Sequence, residues 1–349
     1  MKDMKAALLT GIRRFEMHDV PTPKISRDTD VLVRVTTVGV CGSDIHYYTE
    51  GRIGDQVVKF PFLGGHEAAG VVDKVGKSVR RVSAGDRIAI DPNLYCGQCD
   101  QCRSGRENTC RESKFLGCPG QLDGCLAEYV VIDERCCFPV PDHISAEDAT
   151  LSEPLAIAVY AVDRTLGKTG LSAGILGLGP IGLSVFHVLR ARKAGRVFAT
   201  DKIPARLEKA AGLKPVWTGN PDRSNVVDEI LSREPLGLDV VYECSGDPPA
   251  LAQAVQLCKP GGLLVIVGIP ETDEITFPIH DLRRAEITIF NIRRQANCTQ
   301  KAIDLIADNE VAISDMVTHR FPLDRTGEAY DLVAAYQDGV MKAMITVST

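Results

Sequence analysis

Ala173-Gly174-Ile175-Leu176-Gly177-Leu178-Gly179-Pro180-Ile181-Gly182 decides how this chain folds. Its first four residues read as a short buried strand, and the G-x-G-x-x-G that follows turns into a helix running to about Arg192. The first glycine makes the tight turn, the second lets a pyrophosphate approach the backbone, and the third lets helix and strand pack closely. Free amides at the helix N-terminus then face phosphate. Arg196 to Thr200 reads as the next strand, and Asp201 stands at its end, 24 residues after Gly177. A carboxylate there can accept both adenosine ribose hydroxyls and repel a 2′-phosphate, which favours NAD over NADP. Lys202 beside it works weakly in the opposite sense. Gly177, Gly179, Pro180, Ile181, Gly182, Asp201 and Arg206 are therefore the candidate cofactor-binding residues.

Outward from this stretch the pattern is strand alternating with helix. Helices are expected over 206–211, 225–232 and 250–258, and strands over 239–243, 263–268 and 286–290, which together make a doubly wound parallel sheet. Before it, to about Pro141, the signals are short β-branched runs such as Val31-Leu32-Val33-Arg34-Val35, bounded by Gly, Pro, Asp or Ser. These suggest a twisted, largely antiparallel barrel or sandwich carrying long loops, starting with a strand near Met1. A helix from about Glu147, continuing past Pro154, leads into the second domain. The tail contributes helices over 299–308 and 324–335 and a strand over 343–347, too little for a domain of its own. The expected division is 1–153, 154–292 and 293–349, the last returning to the first domain.

The 349 residues can bury a good core; 44% are hydrophobic and 25% charged, ordinary for a globular chain. A net charge of −6 gives no reason to expect nucleic acid as a partner. No apolar run is long enough to span a bilayer or serve as a signal peptide, so the cytoplasm is the expected location.

Four of the twelve cysteines crowd into Cys96-x2-Cys99-x2-Cys102-x7-Cys110. Thiolates so close can wrap one tetrahedral zinc and leave no position open for chemistry, although an iron–sulfur cluster also fits the donors. A second set is dispersed: Cys41 in Gly39-Val40-Cys41-Gly42-Ser43-Asp44-Ile45-His46-Tyr47, and His66-Glu67 in Gly64-Gly65-His66-Glu67-Ala68. Cysteine, histidine and carboxylate suit a catalytic zinc with one place left for substrate. Spacing alone does not join them: Cys41 also reads as a buried structural cysteine and His66 as a core histidine. Asp44 equally reads as a turn acid and Glu153 as a helix-start acid.

With these motifs in place, the sequence resembles the zinc-dependent medium-chain alcohol dehydrogenases, in particular their sorbitol- and xylitol-type polyol branch. The resemblance runs over essentially the whole chain: CGSDIHYY from Cys41, GRIG from Gly51, GGHEAAG from Gly64, the four-cysteine lobe, SEPLA from Ser152, GLGPIG from Gly177 and THRFPL from Thr318. It implies a GroES-like catalytic domain interrupted by a Rossmann cofactor domain, hence an α/β and β fold with the active site between them. It implies Cys41, His66 and Glu67 as ligands of catalytic zinc and Glu153 as a second carboxylate, bound directly or through water. Asp44 would fix the tautomer of His66. Ser43 would accept the alcohol proton and relay it through the nicotinamide ribose to His46 or solvent. Tyr47, Glu153 and Arg294 would meet the substrate's further hydroxyls, with Arg293 competing because the local match can slide by one residue. The lobe of Cys96, Cys99, Cys102 and Cys110 would hold structural zinc.

The implied reaction is NAD-linked oxidation of a polyol, or of another secondary alcohol, by a homodimer or homotetramer. A threonine-type zinc dehydrogenase is the alternative within the family; a non-catalytic NAD-binding zinc protein is the alternative outside it. Departures at Gly64, at Phe115 to Gln121 and at Cys298-Thr299 bear on the chain length and stereochemistry of the substrate more than on the reaction.

Overall fold

The computed structural model describes residues 3–165 and 170–348. Met1 and Lys2, where the first strand is expected to begin, lie outside them; the strand runs Asp3–Gly11 and pairs with Arg14–Pro21. The chain divides into two compact units, Met1–Glu153 with Thr299–Thr349, and Pro154–Cys298. The second boundary falls after Cys298, against the expected 292/293. Beyond the strand Thr288–Asn291, Ile292 still donates to the Ile266 carbonyl and so stays with the second unit.

The first unit is built on a seven-stranded sheet. Its order is Cys137–Pro139, Arg87–Ile90, Glu67–Val75, Asp30–Gly39, Lys342–Thr346, Val317–Pro322, with Tyr129–Asp133 also on Asp30–Gly39. Every pairing is antiparallel except that of Val317–Pro322 with Lys342–Thr346. The strand Asp30–Gly39 is central and forks. Its first half pairs with Tyr129–Asp133, its last three residues with Thr346–Met344. It is buried nearly throughout, so both faces carry valine rather than alternating with polar residues. Val31, Val33, Val35 and Val38 pack with Ile88, Ile90 and Leu126 into one core. The same strand sets Gly39 opposite Glu67, which fixes where the following loop, ending in Cys41, begins.

In the second unit six parallel strands lie in the order Trp217–Gly219, Val197–Thr200, Ala173–Leu176, Leu238–Glu243, Cys258–Ile266, Thr288–Asn291. Direction of progress along the sheet reverses between Ala173–Leu176 and Leu238–Glu243, the place where such sheets open a crevice for ligands. The helix expected over 250–258 is Pro248–Leu257, and Cys258 instead opens the next strand. Pro260 explains this: a residue preceding proline is driven out of helical geometry, so the helix stops short of Lys259. Two short elements carried no periodic signal, the edge strand Trp217–Gly219 and the helix Ile279–Arg284. No helix among the described residues is long and apolar enough to cross a membrane.

Candidate active site and metal centres

The dispersed donors converge. Cys41 is the N-cap of the helix Gly42–Thr49, and His66 and Glu67 sit where the strand Glu67–Val75 begins, a register set by Glu67 facing Gly39. One donor atom from each of Cys41, His66 and Glu67 lies within 4.8 Å of the other two. Behind them, Nδ1 of His66 stands 3.3 Å from Oδ1 of Asp44, an ion-pair distance without the alignment of a full hydrogen bond. Asp44 thereby constrains the imidazole, leaving its other nitrogen for a metal. Burial pulls the His66 pKa down, but the acidic groups of Asp44 and Cys41 outweigh it and hold the imidazole well above 6.5.

Glu67 has a partner that nothing in the local sequence announced. Nζ of Lys342 donates to its Oε1 at 2.7 Å, stands 2.5 Å from Oε2, and also donates to the Val40 carbonyl at 3.0 Å. Both side chains are 1% exposed, so the pair is sealed from water. A Cβ on Gly39 would collide with Oε2 of Glu67, so glycine is required at that approach. Both Asp44 oxygens and Oε2 of Glu67 are buried without an aligned hydrogen bond. Buried carboxylate oxygens left without a hydrogen bond beside a thiol and an imidazole call for a metal cation, and zinc suits the thiolate, imidazole and carboxylate donors.

Glu153 lies outside that donor set. It is buried on the helix Ala146–Asp163, near enough to feel His66, Glu67, Asp91 and Lys342. Burial pushes its carboxyl up to about 8; Glu67 and Asp91 push the same way, while His66 and Lys342 oppose. The metal centre in this structure is therefore Cys41, His66 and Glu67. On the helix after Cys41, the Ser43 hydroxyl donates to the Cys41 sulfur at 3.4 Å, and His46 follows one turn later, half-buried. The buried Tyr47 hydroxyl donates to Oε1 of Gln56 at 3.1 Å and lies 3.8 Å from the Cys118 sulfur. Gln56 is thus a polar neighbour of Tyr47 that sequence reading missed.

The four-cysteine lobe is closed. Four sulfurs at about 2.3 Å from one zinc stand about 3.8 Å apart, and the sulfur pairs Cys96/Cys102, Cys99/Cys102 and Cys99/Cys110 are at 3.9, 3.6 and 3.9 Å. Backbone amides of Cys96, Gln98, Cys99 and Glu112 point at Cys96 or Cys110 sulfur at 3.3–3.5 Å, which stabilises thiolate. All twelve cysteines are free of disulfides. Cys41, His66 and Glu67 form the catalytic zinc site and Cys96, Cys99, Cys102 and Cys110 the structural one.

In the second unit the glycine loop has the form a dinucleotide needs. Gly177 has φ +94°, and a Cβ there would press on Ser245; a Cβ on Gly182 would strike the Gly177 carbonyl. Gly179 caps the helix Pro180–Ala191 without a side-chain cap bond, and Pro180 and Ile181 open it. Asp201 is 6% exposed and tied to the loop: Oδ2 accepts from the Leu178 amide at 2.6 Å and Oδ1 from Ile203 at 2.7 Å. Each carboxylate oxygen can accept a second hydrogen bond, so ribose hydroxyls remain within its capacity. Arg206 Nη1 stands 3.6 Å from Asp201 Oδ2 and beside Gly179. Arg294, half-buried with φ 52°, and the exposed Arg293 lie between Thr288–Asn291 and the helix Thr299–Ala307.

Residues 27–142 match the alcohol dehydrogenase GroES-like domain, and residues 180–308 the zinc-binding dehydrogenase domain. Sorbitol dehydrogenase of Bacillus subtilis is 36% identical over 99% of this chain and 97% of its own. D-xylulose reductase A of Aspergillus oryzae is 33% identical over 94% of this chain and 93% of its own. A zinc-binding dehydrogenase of Sinorhizobium meliloti, solved with NADP bound, superposes with a TM-score of 0.90 at 30% identity. That match covers 99% of this chain and 100% of the other.

Proposed function

The chain belongs to the zinc-binding, medium-chain alcohol dehydrogenase family, and from that premise we propose that it oxidises a polyol of the sorbitol or xylitol type, reversibly, at a secondary hydroxyl next to the terminal carbon, yielding a ketose. The observation that carries the reading is the convergence of Cys41, His66 and Glu67 on one buried point. A zinc ion held there supplies a Lewis acid that makes a bound hydroxyl acidic, while NAD supplies the hydride acceptor.

The protein's own residues then handle the proton and the remaining hydroxyls. Ser43 Oγ, already beside the Cys41 sulfur, takes the hydroxyl proton and hands it on to His46, three residues on and so on the same helix face, or to solvent. Oxidation takes two hydrogens from the alcohol: the hydroxyl proton, and a hydride from the carbinol carbon that bound NAD would accept. Glu153, Tyr47 and Arg294 bind the neighbouring hydroxyls. A polar pocket of this kind rejects an alcohol lacking those groups, because its own donors and acceptors are left unpaired.

NAD is the preferred cofactor on the strength of Asp201, although the Sinorhizobium relative carries NADP. Twelve free cysteines fit a reducing compartment such as the cytoplasm, and the assembled form is a homodimer or homotetramer, readable by light scattering. The decisive experiment measures NADH formation by the purified protein on sorbitol, xylitol, threonine and simple secondary alcohols. Preference for threonine or for a one-hydroxyl alcohol would sink the polyol reading. Arg294→Ala should lower kcat/KM for the polyol roughly tenfold to a hundredfold while sparing simple alcohols. If Arg293→Ala does this instead, Arg293 and not Arg294 is the arginine that meets the substrate.

A further inference from the structure

Lys202 follows the acid that faces the ribose, and its ammonium is already engaged. Nζ of Lys202 lies 2.6 Å from Oδ2 of Asp247. Lys202 comes just after the strand Val197–Thr200, and Asp247 comes four residues after Leu238–Glu243. In the sheet the glycine-loop strand Ala173–Leu176 lies between those two. The ion pair therefore reaches across the C-terminal end of the strand that carries the phosphate loop, at the point where the sheet reverses direction.

The neighbourhood is acidic. Asp247, Asp222 and Asp201 all act on the Lys202 ammonium, Asp247 most strongly. The Lys202 carbonyl accepts from Nδ2 of Asn220 at 2.8 Å, which holds the backbone, so that only the bond to Asp247 sets where the ammonium lies. Arg206, the other cation near Asp201, is 14% exposed at its side chain and lies against Gly179, so it faces the loop. Lys202, 51% exposed at its side chain, is the cation that can be redeployed.

We propose that Asp247 is a positioning residue for cofactor choice: it holds Lys202 away from the place a 2′-phosphate would occupy beside Asp201. This rests on the NAD reading above and deepens it. Exclusion of the phosphorylated cofactor then has two parts, direct repulsion by Asp201 and withdrawal of the neighbouring ammonium by Asp247. Asp247 caps the helix Pro248–Leu257 through its backbone alone, with no side-chain cap bond, so asparagine there keeps the helix start intact.

The test is calorimetric binding of AMP and of adenosine 2′,5′-bisphosphate to the zinc-loaded protein and to Asp247→Asn, Lys202→Ala and the double variant. The wild-type chain should favour AMP. Asp247→Asn should shift the AMP-to-bisphosphate affinity ratio about three- to tenfold toward the bisphosphate, the scale of one exposed ion pair and one removed charge. Adding Lys202→Ala should abolish the shift. An unchanged ratio in Asp247→Asn, or a shift that survives loss of Lys202, overturns the positioning role while leaving the NAD reading standing. A wild-type preference for the bisphosphate overturns the NAD reading itself. Circular dichroism of each variant separates these results from misfolding.

Discussion

Asp44 acts on the metal centre without belonging to it, and its effect should be measurable as metal retention. It stands against Nδ1 of His66 in a place water does not reach. Asp44→Ala should weaken zinc at Cys41, His66 and Glu67 by roughly 10–100-fold, read by competition with a chelator; unchanged retention would show that packing alone orients the ring. A second residue controls acid stability. Asp30 is buried, and its carboxylate accepts from the Ser26 and Arg27 amides at 3.0 and 2.8 Å and from Arg27 Nε at 2.8 Å. Burial alone would raise its pKa, but these bonds outweigh it and hold it below 3.8. Its contribution is thus complete above pH 3.8 and is lost as pH falls through the lower folded value. Asp30→Asn should cost about 1–3 kcal/mol at neutral pH and flatten the acid limb of the unfolding curve; an unaltered acid limb would remove Asp30 from that role. The cysteine lobe and the glycine loop are legible in sequence because their residues are near neighbours. Lys342 was not: it pairs with Glu67 across 275 positions, and on its own it reads as the polar first residue of a strand.

At the scale of elements, the lobe is a staple with almost no apolar material of its own. Between Cys96 and Cys110 only the helix Asp100–Arg103 and one 3-10 turn, Glu107–Thr109, are regular, and the remainder hangs on the sulfurs. Cys99→Ser should remove one zinc per chain and lower the melting temperature by several degrees, given about 2–4 °C for each kcal/mol in a domain of this size. Metal analysis with calorimetry would decide; an unchanged melting temperature would mean the lobe folds without its ion. Strand and helix alternation after Gly177 could be read because each period is local. The pairing of Asp30–Gly39 with Lys342–Thr346 could not, since register between distant strands is set by packing that no local pattern encodes. Trp217–Gly219 is too short at three residues for a period to emerge.

For the whole molecule, two metal centres of different closure should part company under a chelator. Cys41, His66 and Glu67 provide three donors, so a competing ligand can enter the fourth position, whereas the four sulfurs of the lobe present none. Incubation with dipicolinate should remove one zinc per chain and abolish NADH formation while the melting temperature falls little. Loss of both ions together would contradict the difference. The discontinuity of the first unit has a further consequence, for synthesis. Residues Pro154–Cys298 form a unit by themselves and can fold as they leave the ribosome, but the central strand Asp30–Gly39 lacks one partner until Lys342–Thr346 has been made. At about 5–20 residues per second, the 275 positions separating Glu67 from Lys342 take on the order of tens of seconds to translate. Throughout that interval the nascent chain holds Glu67 without its lysine. A zinc ion captured early would meet a carboxylate not yet fixed in place, so the catalytic centre is finished last, after the cofactor fold that lies between its two halves.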